Sequence, residues 1–189
     1  MITYEERLNQ NRRWALLEGS MHFEKDSEVF RTLEKITRRL EELQIPYAVA
    51  GGMALFLHGF RRFTEDVDIL VTREALKEIH EQLEGRGYLP PFTGSKNLRD
   101  VNSGVRIEFL VAGDYPGDGK PKPIAFPDPS KVGVVADGIR CVNVPTLLEL
   151  KLASGMTNPG RFKDLGPVRL GPPSSQNGYG DPWNTGRTT

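Results

Sequence analysis

Apolar residues recur at steps of four and three in the first quarter of the chain, which predicts an amphipathic helix. Asp26 or Ser27 can cap its start, and Pro46 ends it. A more polar stretch from Thr3 to Leu17 predicts an earlier helix, whose narrow apolar strip consists of Leu8, Trp14 and Leu17. Residues 1–44 are therefore expected to form N-terminal helices that pack on the rest of the protein. The positions that define the better-marked helix are Val29, Leu33, Ile36, Leu40 and Leu43.

After Pro46 the pattern changes to short apolar runs separated by glycines, which predicts strands alternating with helices. The order of these elements predicts an α/β (α+β) fold with a mixed β-sheet flanked by helices, over residues 45–165. Asp137-Gly138 fits the turn of a hairpin between residues 132 and 144. The other predicted strands are Tyr47–Ala50, Val67–Val71 and Val105–Val111, and the other predicted helices are 53–58, 73–83 and 145–154.

Two segments lack a hydrophobic period. Residues 113–129 are rich in Gly, Pro and Asp and predict a long loop. Residues 166–189 contain five Gly and four Pro with few apolar side chains, so we expect this tail to be disordered.

The charge balance of the chain bears on whether the protein binds nucleic acid. Lys plus Arg and Asp plus Glu each number 25, so the formal net charge is zero and a general electrostatic grip on nucleic acid is not indicated. A local basic patch stays open. The single cysteine, Cys141, excludes an internal disulfide and fits a buried thiol in a reducing cytoplasm. No apolar run of about 18 residues exists, so no membrane span is expected.

The segment from Tyr47 to Val71 carries the first two parts of a chemical site. Gly51-Gly52 lies between a predicted strand and a helix, where the lack of side chains lets a phosphate approach the backbone. An ordinary tight turn explains the same pair. Asp66 and Asp68 are two positions apart on a strand and therefore project from the same face. Their repulsion favours a divalent cation between them, although two surface acids are the alternative.

The third part is Glu108, which lies within the predicted strand 105–111. Val105, Ile107, Phe109 and Val111 define the apolar face of that strand, and Glu108 points to the other face. If this strand pairs beside the strand of Asp66, Glu108 joins the two aspartates. The alternative is an exposed glutamate on a half-buried strand.

Gly51-Gly52, then thirteen residues, then Asp66-x-Asp68, then a later strand with Glu108, resembles the DNA-polymerase-β-like nucleotidyltransferase superfamily. The resemblance covers residues 45–111 well and 144–165 more loosely. Small bacterial members, including abortive-infection toxin-type nucleotidyltransferases, are the most similar in the intervening residues. These are Ala54-Leu55, His58-Gly59, Arg62 and Thr64, followed later by Lys151-Leu152-Ala153 and Arg161-x-Lys163-Asp164.

The resemblance implies that Asp66, Asp68 and Glu108 are both the metal ligands and the catalytic acids, holding Mg²⁺ or Mn²⁺. A nucleoside triphosphate would bind at the glycine turn, and an acceptor hydroxyl would attack its α-phosphorus and expel pyrophosphate. Protein cations would neutralise the phosphates. The nucleotide-binding residues implied are Gly51, Gly52, Arg62, Lys151 and Lys163, with Arg61 and Arg161 as further cations.

Several alternatives remain open at this point. The acceptor implied by the resemblance is tRNA, another protein or a small molecule, and a non-catalytic module that binds nucleotide or an antitoxin partner is the second hypothesis. A phosphohydrolase needs more metal ligands than the sequence places together. Relatives continue beyond a segment like Arg161–Leu165 into a helix, whereas Gly166-Pro167 follows here. We therefore hypothesise that the C-terminal end is truncated, with a frameshift as one explanation; the sequence leaves open whether this C-terminus is native or frameshifted.

Overall fold

The computed structural model describes residues 2–121 and 123–155. Within these ranges, seven strands form one mixed sheet in the order β3-β4-β5-β2-β1-β7-β6. The helices are α1 Tyr4–Gln10, α2 Arg12–Phe23, α3 Glu28–Glu42, α4 Gly51–Leu57, α5 Arg73–Leu83, α6 Pro129–Val132 and α7 Val144–Gly155. The strands are β1 Tyr47–Val49, β2 Asp66–Val71, β3 Tyr88–Leu89, β4 Leu98–Asp100, β5 Arg106–Val111, β6 Gly133–Ala136 and β7 Ile139–Val142.

Strand β2 is central to the sheet and fixes the position of its neighbours. It pairs antiparallel with β1 and parallel with β5 over its whole length. Every second residue of β2 and β5 on one face is buried, as the alternating pattern requires. The mixed α/β architecture with flanking helices predicted from the sequence is therefore confirmed. On the opposite face of these two strands, polar residues occupy the first positions, ahead of Leu70 and Leu110.

The N-terminal helices and the sheet share one hydrophobic core. Helix α3 contributes a fully buried stripe, and Ser27 begins this helix by accepting a hydrogen bond from the backbone N–H of Phe30. Thr72 caps α5 in the same way. Core residues from the helices and the sheet include Tyr4, Val29, Leu33, Ile36, Leu40, Val49, Met53, Ile69, Ile79, Ile107 and Phe109.

The single helix predicted from Thr3 to Leu17 is wrong. The structure breaks it at Asn11, whose side chain accepts a hydrogen bond from the backbone N–H of Trp14 and so starts a new helix. Helix α2 then continues through Gly19 to Phe23. Leu17, assigned to the apolar strip, is exposed.

Three short elements were missed from the sequence. Strands β3 and β4 have only two and three residues, too few to show a period. Helix α6 lies at the end of the segment predicted as a loop, where Asp128 caps a single turn that begins with Pro129. The predicted hairpin is present as β6 and β7, with Asp137 and Gly138 both at positive φ in its turn.

None of the described helices is long and apolar enough to cross a membrane. The tail predicted to be disordered, residues 166–189, lies outside the described residues. The segment Arg161–Leu165 and the proposed truncation lie outside them as well.

Candidate functional site

The parallel pairing of β2 with β5 brings the three predicted acids together. In this register Asp66 lies opposite Arg106, and Asp68 lies opposite Glu108. All three carboxylates project from the same face of the sheet, and one oxygen from each lies within 4.8 Å of the others. Asp66, Asp68 and Glu108 are named the acidic triad below. The strand pairing on which the prediction for Glu108 depended is therefore present.

The Gly51-Gly52 turn packs directly against this triad. The backbone N–H of Ala50 donates to the carbonyl oxygen of Asp68 at 2.8 Å, which joins the end of β1 to β2. Gly51 has a φ of +58°, and a Cβ atom there would lie 1.8 Å from Asp68 Oδ2. At Gly52 the Cβ atom would lie 2.7 Å from Thr64 Oγ1. Both glycines are thus required, before any ligand binds, to make room for the side chains of the site.

Two residues at the triad were not assigned to it from the sequence. Arg106 Nη2 donates to Asp66 Oδ2 at 2.8 Å and lies 3.8 Å from Glu108 Oε2. The hydroxyl of Thr64 donates to Asp66 Oδ1 at 2.9 Å. Both were detectable in principle, because Arg106 is two positions from Glu108 on the same face of β5 and Thr64 is two positions from Asp66.

Of the three acids, Asp68 has the pKa that the surrounding protein raises most clearly. Burial, followed by the charges of Asp66 and Glu108, raises the pKa of Asp68 to about 8. At Arg106, burial and the neighbouring acids act on the pKa in opposite directions. Burial acts to lower the pKa of Arg106, but the hydrogen bond and charge of Asp66, together with the charge of Glu108, raise it above its usual range. The charges of Arg106 and Arg62, which act to lower the pKa of Asp68, therefore do not outweigh its burial and the two neighbouring carboxylates.

The triad opens into a cavity of about 460 Å³. Four of the five predicted nucleotide-binding residues line this cavity: Gly51, Gly52, Arg62 and Lys151. The fifth, Lys163, lies outside the described residues, as does Arg161. The remaining wall is largely apolar, and the long loop after β5 contributes Pro116, Gly117 and Phe126 to it. Its other apolar residues are Ala50, Leu55, Leu110, Leu147 and Leu150.

The donor set fits a hard divalent cation. Mg²⁺ and Mn²⁺ prefer carboxylate oxygens, and magnesium sites typically combine a few carboxylates with water and substrate phosphates. The triad supplies three carboxylates at one edge of a cavity that remains wide enough for a phosphate chain. A cation there would also relieve the repulsion that raises the pKa of Asp68.

The histidines and the cysteine take structural positions. His22 is buried and bridges the Ser27 hydroxyl and the carbonyl oxygen of Arg62, at 3.2 and 3.0 Å. His58 ends α4 and contacts the carbonyl oxygen of Val142 at 2.9 Å. Burial raises the pKa of the Cys141 thiol, which disfavours the thiolate a nucleophile needs. The buried position predicted for Cys141 is confirmed.

Comparison with solved structures identifies the fold. A candidate nucleotidyltransferase from Thermotoga maritima superposes with a TM-score of 0.55 at 19% identity, over 73% of this chain and 91% of that one. A second match is ANT(2″)-Ia in complex with adenylyl-2″-tobramycin, with a TM-score of 0.42 and 17% identity over 60% of this chain and 68% of that one. The sequence matches no family model and no curated protein. The chain therefore has a nucleotidyltransferase fold, as the sequence predicted.

Proposed function

We propose that this protein is a metal-dependent nucleotidyltransferase that moves a nucleoside monophosphate from a nucleoside triphosphate to an acceptor hydroxyl. The observation that carries the proposal is the acidic triad, which the pairing of β2 with β5 assembles at the edge of a cavity lined by the Gly51-Gly52 turn. The nucleotidyltransferase fold supports the reaction class.

Asp66, Asp68 and Glu108 would hold Mg²⁺ or Mn²⁺, which supplies charge stabilisation for the attacking and leaving oxygens. Glu108 is the least buried strand position of the three and would take the proton of the acceptor hydroxyl. The hydroxyl oxygen then forms a bond to the α-phosphorus, and the bond from that phosphorus to the bridging oxygen breaks, releasing pyrophosphate. Thr64 keeps Asp66 oriented through the hydrogen bond to its Oδ1.

The cations of the cavity wall would bind the triphosphate. Arg62 and Lys151 both line the cavity that the triad opens into, and their charge offsets that of the phosphate oxygens. The Gly51-Gly52 turn would bring the phosphates close to backbone N–H groups. Lys163 is proposed for the same task, on the sequence resemblance alone. The apolar part of the wall suits a nucleobase or the body of an acceptor.

The acceptor proposed is a tRNA end, a protein hydroxyl or a small molecule. The formal net charge of zero argues against a long nucleic acid, whose phosphates are bound by clustered Lys and Arg. A toxin–antitoxin role is proposed on the sequence resemblance alone. A cytoplasmic location is proposed on the single cysteine alone.

The proposal is tested with nucleoside triphosphates labelled at the α-phosphate, supplied with Mg²⁺ and a cell extract. We expect label on a macromolecule or small molecule with the native protein. The Asp66→Asn/Asp68→Asn double variant should transfer at least about a thousandfold less, because the charges that stabilise the transition state are gone. Nuclease and protease treatment then assigns the acceptor class.

The control is an Arg73→Gln variant, which loses an exposed ion pair with Asp114; neither of these residues lines the cavity. This variant should transfer as the native protein does. Equal transfer by the native protein and the double variant would refute the proposal. Magnesium-dependent nucleotide binding without transfer would support the non-catalytic module instead.

A further inference from the structure

Arg106 occupies a place beside the triad that a divalent cation would also favour. Its Nη2 lies 2.8 Å from Asp66 Oδ2 and 3.8 Å from Glu108 Oε2, so its guanidinium bridges two acids on neighbouring strands. The register fixes this arrangement, since Arg106 is the direct partner of Asp66. The guanidinium thus already neutralises part of the charge of the triad, beside the weaker influence of Arg62 on Asp68.

Both oxygens of Asp66 are engaged in the structure. Oδ1 accepts a hydrogen bond from the Thr64 hydroxyl at 2.9 Å, and Oδ2 accepts from Arg106. A divalent cation bound to Asp66 must therefore share or replace one of these contacts. A neutral hydroxyl can remain beside a metal-bound carboxylate, whereas a guanidinium is repelled by the cation. Of the two contacts, the one from Arg106 is the one that metal binding opposes.

The attachment of Arg106 at this position is incomplete. Its Nε is buried and has no hydrogen-bond partner among the described residues, and 38% of its side chain is exposed. The attraction of the acids therefore holds the guanidinium here, without a full set of hydrogen bonds. The side chain also lines the cavity, so it has space to move into when the acids are neutralised by another cation.

We propose that Arg106 is an exchangeable counter-ion of the acidic triad, and that a divalent cation must displace its guanidinium from Asp66 in order to bind. The inference rests on the metal site of the proposed function. Its consequence is that Arg106 weakens the affinity of the triad for metal. On displacement, the guanidinium turns toward the cavity, where it can pair with a triphosphate. Metal and nucleotide would then each favour the binding of the other.

The test measures Mn²⁺ affinity by the loss of the free-ion electron paramagnetic resonance signal, with no nucleotide present. Arg106→Gln removes the competing charge, so we expect it to bind Mn²⁺ about tenfold more tightly than the native protein. Arg106→Lys retains a positive charge and should stay within about threefold of the native affinity. Arg99→Gln is the matched control, because Arg99 lies opposite Arg106 on β4 but pairs with Glu5.

The inference is overturned if Arg106→Gln binds Mn²⁺ no more tightly than the native protein does. This comparison requires that the variant has the same melting temperature as the native protein. An equal gain in Arg99→Gln would overturn it too, because the effect would then be one of net charge. Asp68→Asn separates the two proposals. If neither the native protein nor Arg106→Gln binds Mn²⁺ more tightly than Asp68→Asn, the metal site of the proposed function fails, and the inference fails with it.

With nucleotide added, the coupling gives a second measurement. A non-hydrolysable nucleoside triphosphate analogue should tighten Mn²⁺ binding more in the native protein than in Arg106→Gln. The reason is that only the native protein has a guanidinium to release toward the phosphates. Equal tightening in the two proteins would refute this part of the inference.

Discussion

Asp100 and the acidic triad lie on neighbouring strands of the same sheet, but the protein compensates their carboxylates very differently. Asp100, at the end of β4, is 2% exposed. It pairs with Lys35 from α3 and accepts hydrogen bonds from the backbone N–H groups of Asn102 and Ser103, at 2.8 and 3.1 Å. One negative charge thus meets one positive charge and two further donors. Asp100 is fully satisfied by the protein alone.

At the acidic triad, by contrast, three carboxylates lie close together and a surplus of negative charge remains around Asp68. Arg106 pairs with Asp66 and Glu108, and both Arg106 and Arg62 act to lower the pKa of Asp68, yet burial and the two neighbouring acids raise that pKa. The difference shows that burial does not by itself mark a functional acid in this fold. What distinguishes the triad is negative charge in excess of what the chain compensates, next to a cavity. Excess charge of this kind costs stability and creates affinity for a cation.

The largest expected effect is at the satisfied acid. Asp100→Asn breaks the ion pair with Lys35 and should lower the free energy of unfolding by about 2 kcal/mol, with Lys35 partly exposed to solvent. Urea unfolding measures this loss. Mn²⁺ affinity should be unchanged, because Asp100 has no contact with the triad. An Asp100→Asn protein that keeps the native stability but loses Mn²⁺ binding would contradict this contrast between Asp100 and the triad.

A somewhat smaller effect of opposite sign is expected at Asp68. Its pKa in the folded protein, about 8, lies above the usual value of 3.8, so between these values the folded protein binds more protons than the unfolded chain. Without metal, stability therefore falls as pH rises from about 4 to 8. Asp68→Asn removes this fall and should be more stable than the native protein at pH 8 by on the order of 1–2 kcal/mol.

Urea unfolding in EDTA at pH 5 and pH 8 measures the effect at Asp68. The native protein and Asp68→Asn should differ less at pH 5, where the Asp68 carboxyl is protonated in the folded state. Adding Mg²⁺ at pH 8 should stabilise only the native protein. A larger advantage of the variant at pH 5 than at pH 8 would show that the pKa of Asp68 is not raised.

The smallest effect concerns how tightly the triad is packed. Gly52→Ala places a methyl group 2.7 Å from Thr64 Oγ1, which disturbs the hydrogen bond that orients Asp66. Gly19→Ala is the matched control, because Gly19 lies in α2 with nothing within 4 Å of a new Cβ atom. We expect Gly52→Ala to lose about 1 kcal/mol and Gly19→Ala to gain about 0.5–1 kcal/mol, by thermal unfolding. A gain at both positions would show that Thr64 can move freely.

The sequence predicted the three acids because strand periodicity is local. Asp66 and Asp68 share a face by their spacing, and Glu108 lies on the face of its strand opposite the alternating apolar residues. The partners of these acids depend on tertiary structure instead. The pairing of Arg106 with Asp66 follows from the register of β2 with β5, and the pairing of Lys35 with Asp100 follows from the docking of α3. The periodicity of hydrophobic residues along the chain predicts neither of these two ion pairs.

The helical boundary at Asn11 was missed for a related reason. The residues on both sides of Asn11 are helix formers of similar polarity, so the break is decided by one side-chain hydrogen bond to the backbone N–H of Trp14. The roles of Gly51 and Gly52 were only half predicted. Their position suggested a phosphate, whereas the close approach of Asp68 and Thr64 required coordinates.

The register of β2 with β5 also has a consequence for how the protein is made. Arg106 and Asp66 are 40 positions apart in the chain, and parallel strands pair only after the whole connection between them has been synthesised and folded. A nascent chain that ends before β5 displays Asp66 and Asp68 without Glu108. The complete acidic triad therefore cannot form until β5 has been synthesised, and an unfinished chain does not carry it.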